Sequence, residues 1–279
     1  MTVLVNLIVT LGMLGIVPAG LRLIDPVGLH RIARLWPLLA VPGALCLWLP
    51  RGSLATVLAG LYAAATLALA ARAPARLLRT RSLAPAEIAV LTALVAPSVA
   101  ATALVAERGG HRLFGFDLDI LALTVPHFHF AGFVAALVAG LVCRAAPSSV
   151  GGLAHAAAYS VPAGTLLVLL GYFVDDWAEL VGAVVLTGGM WAVALLTWRE
   201  IRPRARRRVT GALLSTSAAV LVATMLLALW WALGEATGIP HPTLTWMAAT
   251  HGLGNALGFA LCSMLAWQRL GPDLTEKTP

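Results

Sequence analysis

The chain has 279 residues, 60% of them hydrophobic and only 11% charged, with a mean hydropathy of +0.89. A water-soluble domain carries about 25% charged residues, so the charge is missing because water is not the main solvent. At ~20 apolar residues per crossing the length holds about nine or ten spans and no sizeable soluble domain, which excludes large cytosolic folds and nucleic-acid enzymology.

The net charge of +7 would suggest nucleic acid in a soluble protein, but here the basic residues sit in short loops between apolar runs and serve topology. No nucleic-acid partner is expected. Cys46, Cys143 and Cys262 stand alone inside apolar segments, which argues against a disulfide framework and against zinc. The first apolar run, 6–19, has no Lys or Arg before it and no well-placed cleavage site after it, so it reads as a first span rather than a removable signal peptide.

In chain order the expected spans are 2–21, 30–50, 52–73, 86–106, 119–144, 150–173, 177–198, 209–233 and 244–267. This predicts an all-α, polytopic integral membrane bundle of about nine transmembrane helices: one domain over 1–270 and a short cytoplasmic tail over 271–279. Pro37, Pro42 and Pro50 interrupt the second segment, leaving a kinked or re-entrant form open. If the connections alternate sides, all of the 19 basic residues except Arg51, Arg108 and Arg112 fall on one side. The positive-inside rule makes that side cytoplasmic, with the N-terminus outside and the C-terminus inside, as expected for a bacterial inner-membrane protein. The carboxylates lean the other way: Glu107, Asp117, Asp119, Asp175, Asp176, Glu179 and Glu235 fall at external connections.

Span five enters from outside and carries Thr124-Val-Pro126-His127-Phe128-His129-Phe130-Ala-Gly132-Phe133. Its two histidines lie on the order of 10–15 Å below the outer end. Span nine carries Thr250-His251-Gly252-Leu-Gly254-Asn255-Ala-Leu-Gly258-Phe259, with His251 at similar depth and Asn255 one turn deeper on the same face. Polar groups so deep must face the interior and find partners, and the glycines permit close helix approach. The readings are a shared site or interhelical hydrogen bonds. His127 and His129 are roughly 200° apart around a helix, so they do not chelate one ion easily; no metal or other cofactor is expected, although a haem or single metal between His127 and His251 stays open.

The second constellation is Tyr172-Phe-Val-Asp175-Asp176-Trp177-Ala-Glu179. If helix continues through it, Tyr172, Asp176 and Glu179 share one face, and crowded carboxylates hold a proton that an isolated one would lose. The alternative is a loop with helix-capping Asp. Asp117 and Asp119 read as N-terminal caps, and Glu87 as a partner of the helix dipole. His155 and Tyr159 form a local hydrogen bond or a second polar step. The Arg199–Arg208 run suits anionic lipid headgroups, and Trp36, Trp177, Trp198, Trp230, Trp231, Trp246 and Trp267 suit interfacial anchoring.

The 124–133 and 250–259 segments resemble the two motif regions of the YndJ-like family of bacterial multi-spanning proteins. The resemblance implies a multi-pass membrane protein and supplies no catalytic assignments. The residues themselves support an intramembrane enzyme moving protons on a lipophilic small molecule, of the isoprenoid cyclase or isomerase type. Asp176, Asp175 or Glu179 would be the acid, with His127 and His251 as base or orienting groups. His129, Asn255, Tyr172, Trp177, Phe128, Phe130, Phe133 and Phe259 would line the site. The alternative is a proton-coupled transporter or exporter using the same His, Asp and Glu groups as a relay. The polar residues concentrate in the outer half, which suits a one-sided site.

Overall fold

The computed structural model describes residues 2–275, and all regular structure among them is helical. The rods are α1 (Thr2–Ile24), α2 (His30–Cys46), α3 (Ser53–Thr80), α4 (Pro85–Arg108), α5 (Leu118–Ala145), α6 (Ser148–Gly171), α7 (Asp176–Arg204), α8 (Arg208–Thr237) and α9 over 244–275. Seven of them, all except α2 and α9, are long and apolar enough to cross a membrane. The α2 rod is shorter and holds Pro37 and Pro42, and α9 is a run of α and π pieces. Outward-facing Leu38, Val57, Leu67, Val181 and Leu226 are exposed, as suits surfaces solvated by hydrocarbon. The chain is an all-helical membrane protein. Of the expected tail, 271–275 continue α9 and 276–279 lie outside the described residues.

The chain divides into two compact units. The first comprises the segment up to Leu83 with Val90–Val134. Asn6 Nδ2 donates to the Leu47 carbonyl at 2.8 Å and the Gly52 amide to the Arg108 carbonyl at 3.0 Å. These bonds gather the start of α1, the α2–α3 turn and the end of α4 at one end, the end the charge pattern assigns to the outside. At the opposite connection the Gly28 amide donates to Asp25 at 2.7 Å and holds that carboxyl below the usual carboxylate range.

The second unit comprises Ala84–Ala89 and the chain from Ala135 onward. Its α6–α7 hairpin closes along glycines spaced by two turns on each helix, Gly164 and Gly171 against Gly182 and Gly189. A methyl at Gly164 would stand 2.5 Å from the Leu186 amide nitrogen, so the backbones meet directly, as small residues permit in membranes. At the other end of this unit Arg144 pairs with Glu87 at 3.2 Å, and Arg204 donates to the Ala145 carbonyl at 2.6 Å.

Gly164→Ala should therefore destabilise the protein by about 1–3 kcal/mol through overpacking. Gly188→Ala, where added atoms meet nothing within 4 Å, should leave the melting temperature in detergent unchanged. Equal behaviour of the two variants would contradict the seam.

Candidate functional site

The first histidine centre begins with a defect in α1. Across its π-helical turn, Gly12–Ile16, the Val17 amide reaches the Gly12 carbonyl instead of that of Met13, and Pro18 has no amide hydrogen to offer. The indole of Trp36 supplies the missing donor, Nε1 to Met13 O at 2.7 Å. Trp36 in turn meets Tyr62 edge-on, with centroids 5.8 Å apart, and Tyr62 stacks on His129 at the same separation. His129 lies in the π segment Phe128–Val134 of α5 and is fully buried, at 0% exposure.

Hydrogen bonding assigns the tautomer of His129. Its Nδ1 is 2.7 Å from the Val125 carbonyl, which can only accept, so Nδ1 carries the hydrogen and Nε2 accepts from the Tyr62 hydroxyl at 2.5 Å. Gly12 leaves room for the imidazole, since a Cβ there would come within 3.2 Å of it. His127, half-buried, faces Phe128 edge-on.

The second centre repeats the logic in α9, where Ala248–Gly252 and Gly254–Leu261 are π-helical. His251 Nδ1 donates to the Thr224 carbonyl at 2.8 Å, and its Nε2 accepts from Asn255 Nδ2 at 3.2 Å. The Asn255 carbonyl oxygen accepts from the Thr224 hydroxyl at 2.8 Å, closing a ring of three side chains on α8 and α9. A Cβ on Gly254 would stand 2.9 Å from Thr224 Cγ2, and one on Gly258 would press on Val220. The motif glycines thus set the distance that the hydrogen bonds need.

The external turn departs from the continuous helix considered above. Helix stops at Gly171 and restarts at Asp176 because Asp175, in extended backbone, caps α7 by accepting the Ala178 amide at 2.8 Å. Asp175 is a helix cap and Asp176 is exposed. Glu179 is 9% exposed, accepts a hydrogen bond from the Tyr172 hydroxyl, and faces the charges of Asp176 and Glu235. Loss of solvent around the Tyr172 hydroxyl, with Glu179 and Glu235 beside it, pushes that phenol above the usual tyrosine range, so it remains a donor. Glu235 also pairs with His241 at 3.1 Å.

Of the residues singled out in the sequence, His127 and His129 belong to the first unit, whereas His251, Asn255, Tyr172 and Glu179 belong to the second. His251 bonds α8 at Thr224, and Glu235 lies about 16 Å further along that helix. The carboxyl group and the histidine of the second unit therefore occupy different levels. Phe128, Phe130, Phe133 and Phe259 are buried side chains, and Trp177 is exposed at the outer end of α7. Trp36, expected as an interfacial anchor, is instead a core residue at 2% exposure, drawn in by the Met13 carbonyl. Among the described residues no three His, Cys, Asp or Glu side chains gather as metal ligands do.

Sequence reasoning missed Tyr62, Thr224, Glu235 and the Arg51–Glu107–Arg108 cluster. Tyr62 carried a signal, a single phenol in the middle of an otherwise apolar span.

A polytopic bundle whose helices are tied by two histidine networks is the class of protein these observations define. Its family is also established: the chain belongs to the YndJ-like proteins, whose family model matches residues 7–259 and so covers both histidine segments. No curated protein and no solved structure matches it.

Tyr62→Phe leaves His129 Nε2 without its donor and should lower stability by about 1–3 kcal/mol, the range for a buried acceptor left unsatisfied. Thermal unfolding in detergent measures this; an unchanged midpoint would mean that the bond holds nothing.

Proposed function

We propose that this protein is a proton-coupled transporter of the bacterial cytoplasmic membrane, with the proton path in its second unit. The observation that carries the reading is a row of polar groups along one face of α8, buried at Thr224, Ser217 and Thr210. Near the outer end stand Glu235 and, on α7, Glu179 with Tyr172. Thr224, His251 and Asn255 follow. About 10 Å further in, the Ser217 and Ser263 hydroxyls pair at 2.6 Å. Another two turns on, the Thr210 hydroxyl is buried with no hydrogen-bond partner among the described residues.

Thr210, Ser217 and Thr224 recur every two turns and so share a face. Polar groups on both sides of the midplane suit a path through the membrane better than a one-sided pocket. In this reading Glu179 exchanges protons with the outside. His251 gains and loses its proton at Nε2 when Asn255 releases it, while the Thr224 carbonyl holds Nδ1 and the ring plane. The Arg199–Arg208 run seats the cytoplasmic end on anionic headgroups, where Arg202 also lies over the Trp198 ring at 4.6 Å.

One observation favours the enzyme reading: Phe173, Val174 and Trp177, all exposed, lie in the segment that joins Tyr172 to Glu179, so a lipophilic substrate reaching it from the bilayer would meet a proton donor. A specific lipophile that travels with the purified protein and is lost in Glu179→Gln would move the assignment to that chemistry.

The transport reading is tested in proteoliposomes holding a trapped pH dye under a potassium diffusion potential. The wild type should admit protons several-fold faster than protein-free vesicles, and His251→Ala and Glu179→Gln should abolish the excess. Asp117→Asn, in an exposed loop, should not. Wild-type flux equal to that of empty vesicles would end the relay reading.

A further inference from the structure

The outer end of the first unit contains a small cleft of about 70 Å³. The floor is apolar, with Val9, Leu104 and Val125, and the rim is charged, with Arg51, Glu107, Arg108 and Asp119. Glu107 is 2% exposed and is gripped by both arginines: Arg51 Nε at 2.9 Å, and Arg108 through Nε and Nη2. Arg108 spends its remaining donor group on the Cys46 and Leu49 carbonyls, so it is structurally consumed. Arg51 is not. Among the described residues its two terminal nitrogens make no bond, its side chain is 46% exposed, and its Nε is held by the buried Glu107 carboxylate. Asp119, also in the lining, is exposed and makes no side-chain bond among the described residues.

The cleft therefore offers one fixed, unspent guanidinium, one unspent carboxylate and an apolar slot beneath them. That combination complements a molecule with a phosphate, an ammonium group and a hydrocarbon chain. We infer that this cleft binds a zwitterionic phospholipid of the phosphatidylethanolamine type. The phosphate takes the free Arg51 nitrogens, the ammonium faces Asp119, and one chain leaves the cleft over Ala122 and Leu123, the half-buried apolar side chains of its lining. A guanidinium suits the phosphate because it presents parallel donors. Asp119 supplies the discrimination, since an anionic headgroup without an amine would meet an uncompensated carboxylate there.

Native mass spectrometry of the whole protein in detergent, titrated with palmitoyl-oleoyl phosphatidylethanolamine or phosphatidylglycerol, tests this. The wild type should take the ethanolamine lipid in preference, and Arg51→Gln should weaken that binding about tenfold. Asp119→Asn should abolish the preference while leaving binding of the glycerol lipid equal or stronger. Arg112→Gln, whose residue pairs with Asp117 at 3.0 Å on the exposed loop, should change neither. If Arg51→Gln does not fold, Asp119→Asn still decides, because Asp119 makes no bond that folding needs. Unchanged lipid occupancy in Arg51→Gln, or a preference that survives in Asp119→Asn, overturns the inference. Displacement of the lipid by an equal concentration of soluble phosphoethanolamine also overturns it, since the apolar slot would then contribute nothing.

Discussion

A backbone carbonyl in hydrocarbon has no water to fall back on, and the rest of this structure depends on how that constraint is met. Pro18 and the wide turn before it strip Met13 of its helical donor, and the chain answers with the indole of Trp36. His129 and His251 each also give their Nδ1 hydrogen to a helix carbonyl, of Val125 and Thr224. One consequence reaches beyond stability. A ring whose Nδ1 is committed to a carbonyl has its tautomer and its plane fixed, and it presents the Nε2 lone pair in one direction. Tyr62 and Asn255 stand in those directions. The fold thus holds two oriented imidazoles against its own backbone.

Its two buried external carboxylates show what separates a structural charge from a working one. Glu107 is enclosed by Arg51 and Arg108 and, through Arg108, by the α2–α3 turn. Breaking such a network leaves a buried charge uncompensated, so it acts as a fixed strut. Glu179 has a phenol as its hydrogen-bond partner, and the charges that face it are carboxylates. Nothing in that arrangement neutralises an ionised Glu179. The first unit closes its ion network around Glu107, while the second leaves Glu179 without a cation among its hydrogen-bond and charge neighbours.

The membrane class was legible because it rests on composition. The glycines of the 250–259 segment were read as letting spans five and nine approach each other, whereas Gly254 and Gly258 meet Thr224 and Val220 of α8. Partners were not legible. That His129 meets Tyr62, or that His251 meets Thr224, depends on which helices become neighbours, and no periodicity in the chain encodes that. At 172–175 two readings stood open, and the structure takes the helix-capping one: the spacing of Tyr172, Asp176 and Glu179 fits a helix, but Asp175 caps the next one. The hairpin still joins Tyr172 to Glu179, by folding back rather than by winding on.

The π-helical stretches connect these themes. A regular α-helix through 248–261 would satisfy its carbonyls internally and turn successive side chains at a constant pitch. The wider turns found there change that pitch. His251 and Asn255 are thereby set toward α8 while Phe259 remains buried. The same device at Phe128–Val134 keeps His129 wholly inside, with His127 left half-buried two residues away. Such bulges are less stable than regular helix and recur at functional sites. Wide turns also occur at Gly12–Ile16 and Thr197–Ile201, but the longest ones coincide with the two histidine segments, which is the strongest reason to look for function at the histidines rather than along the aromatic surfaces. The Thr224 ring then gains weight over the Tyr62 pair as the working centre. It is only half-buried, its Nε2 contact at 3.2 Å is the longer of the two, and an amide yields an imidazole lone pair more readily than a stacked phenol at 2.5 Å.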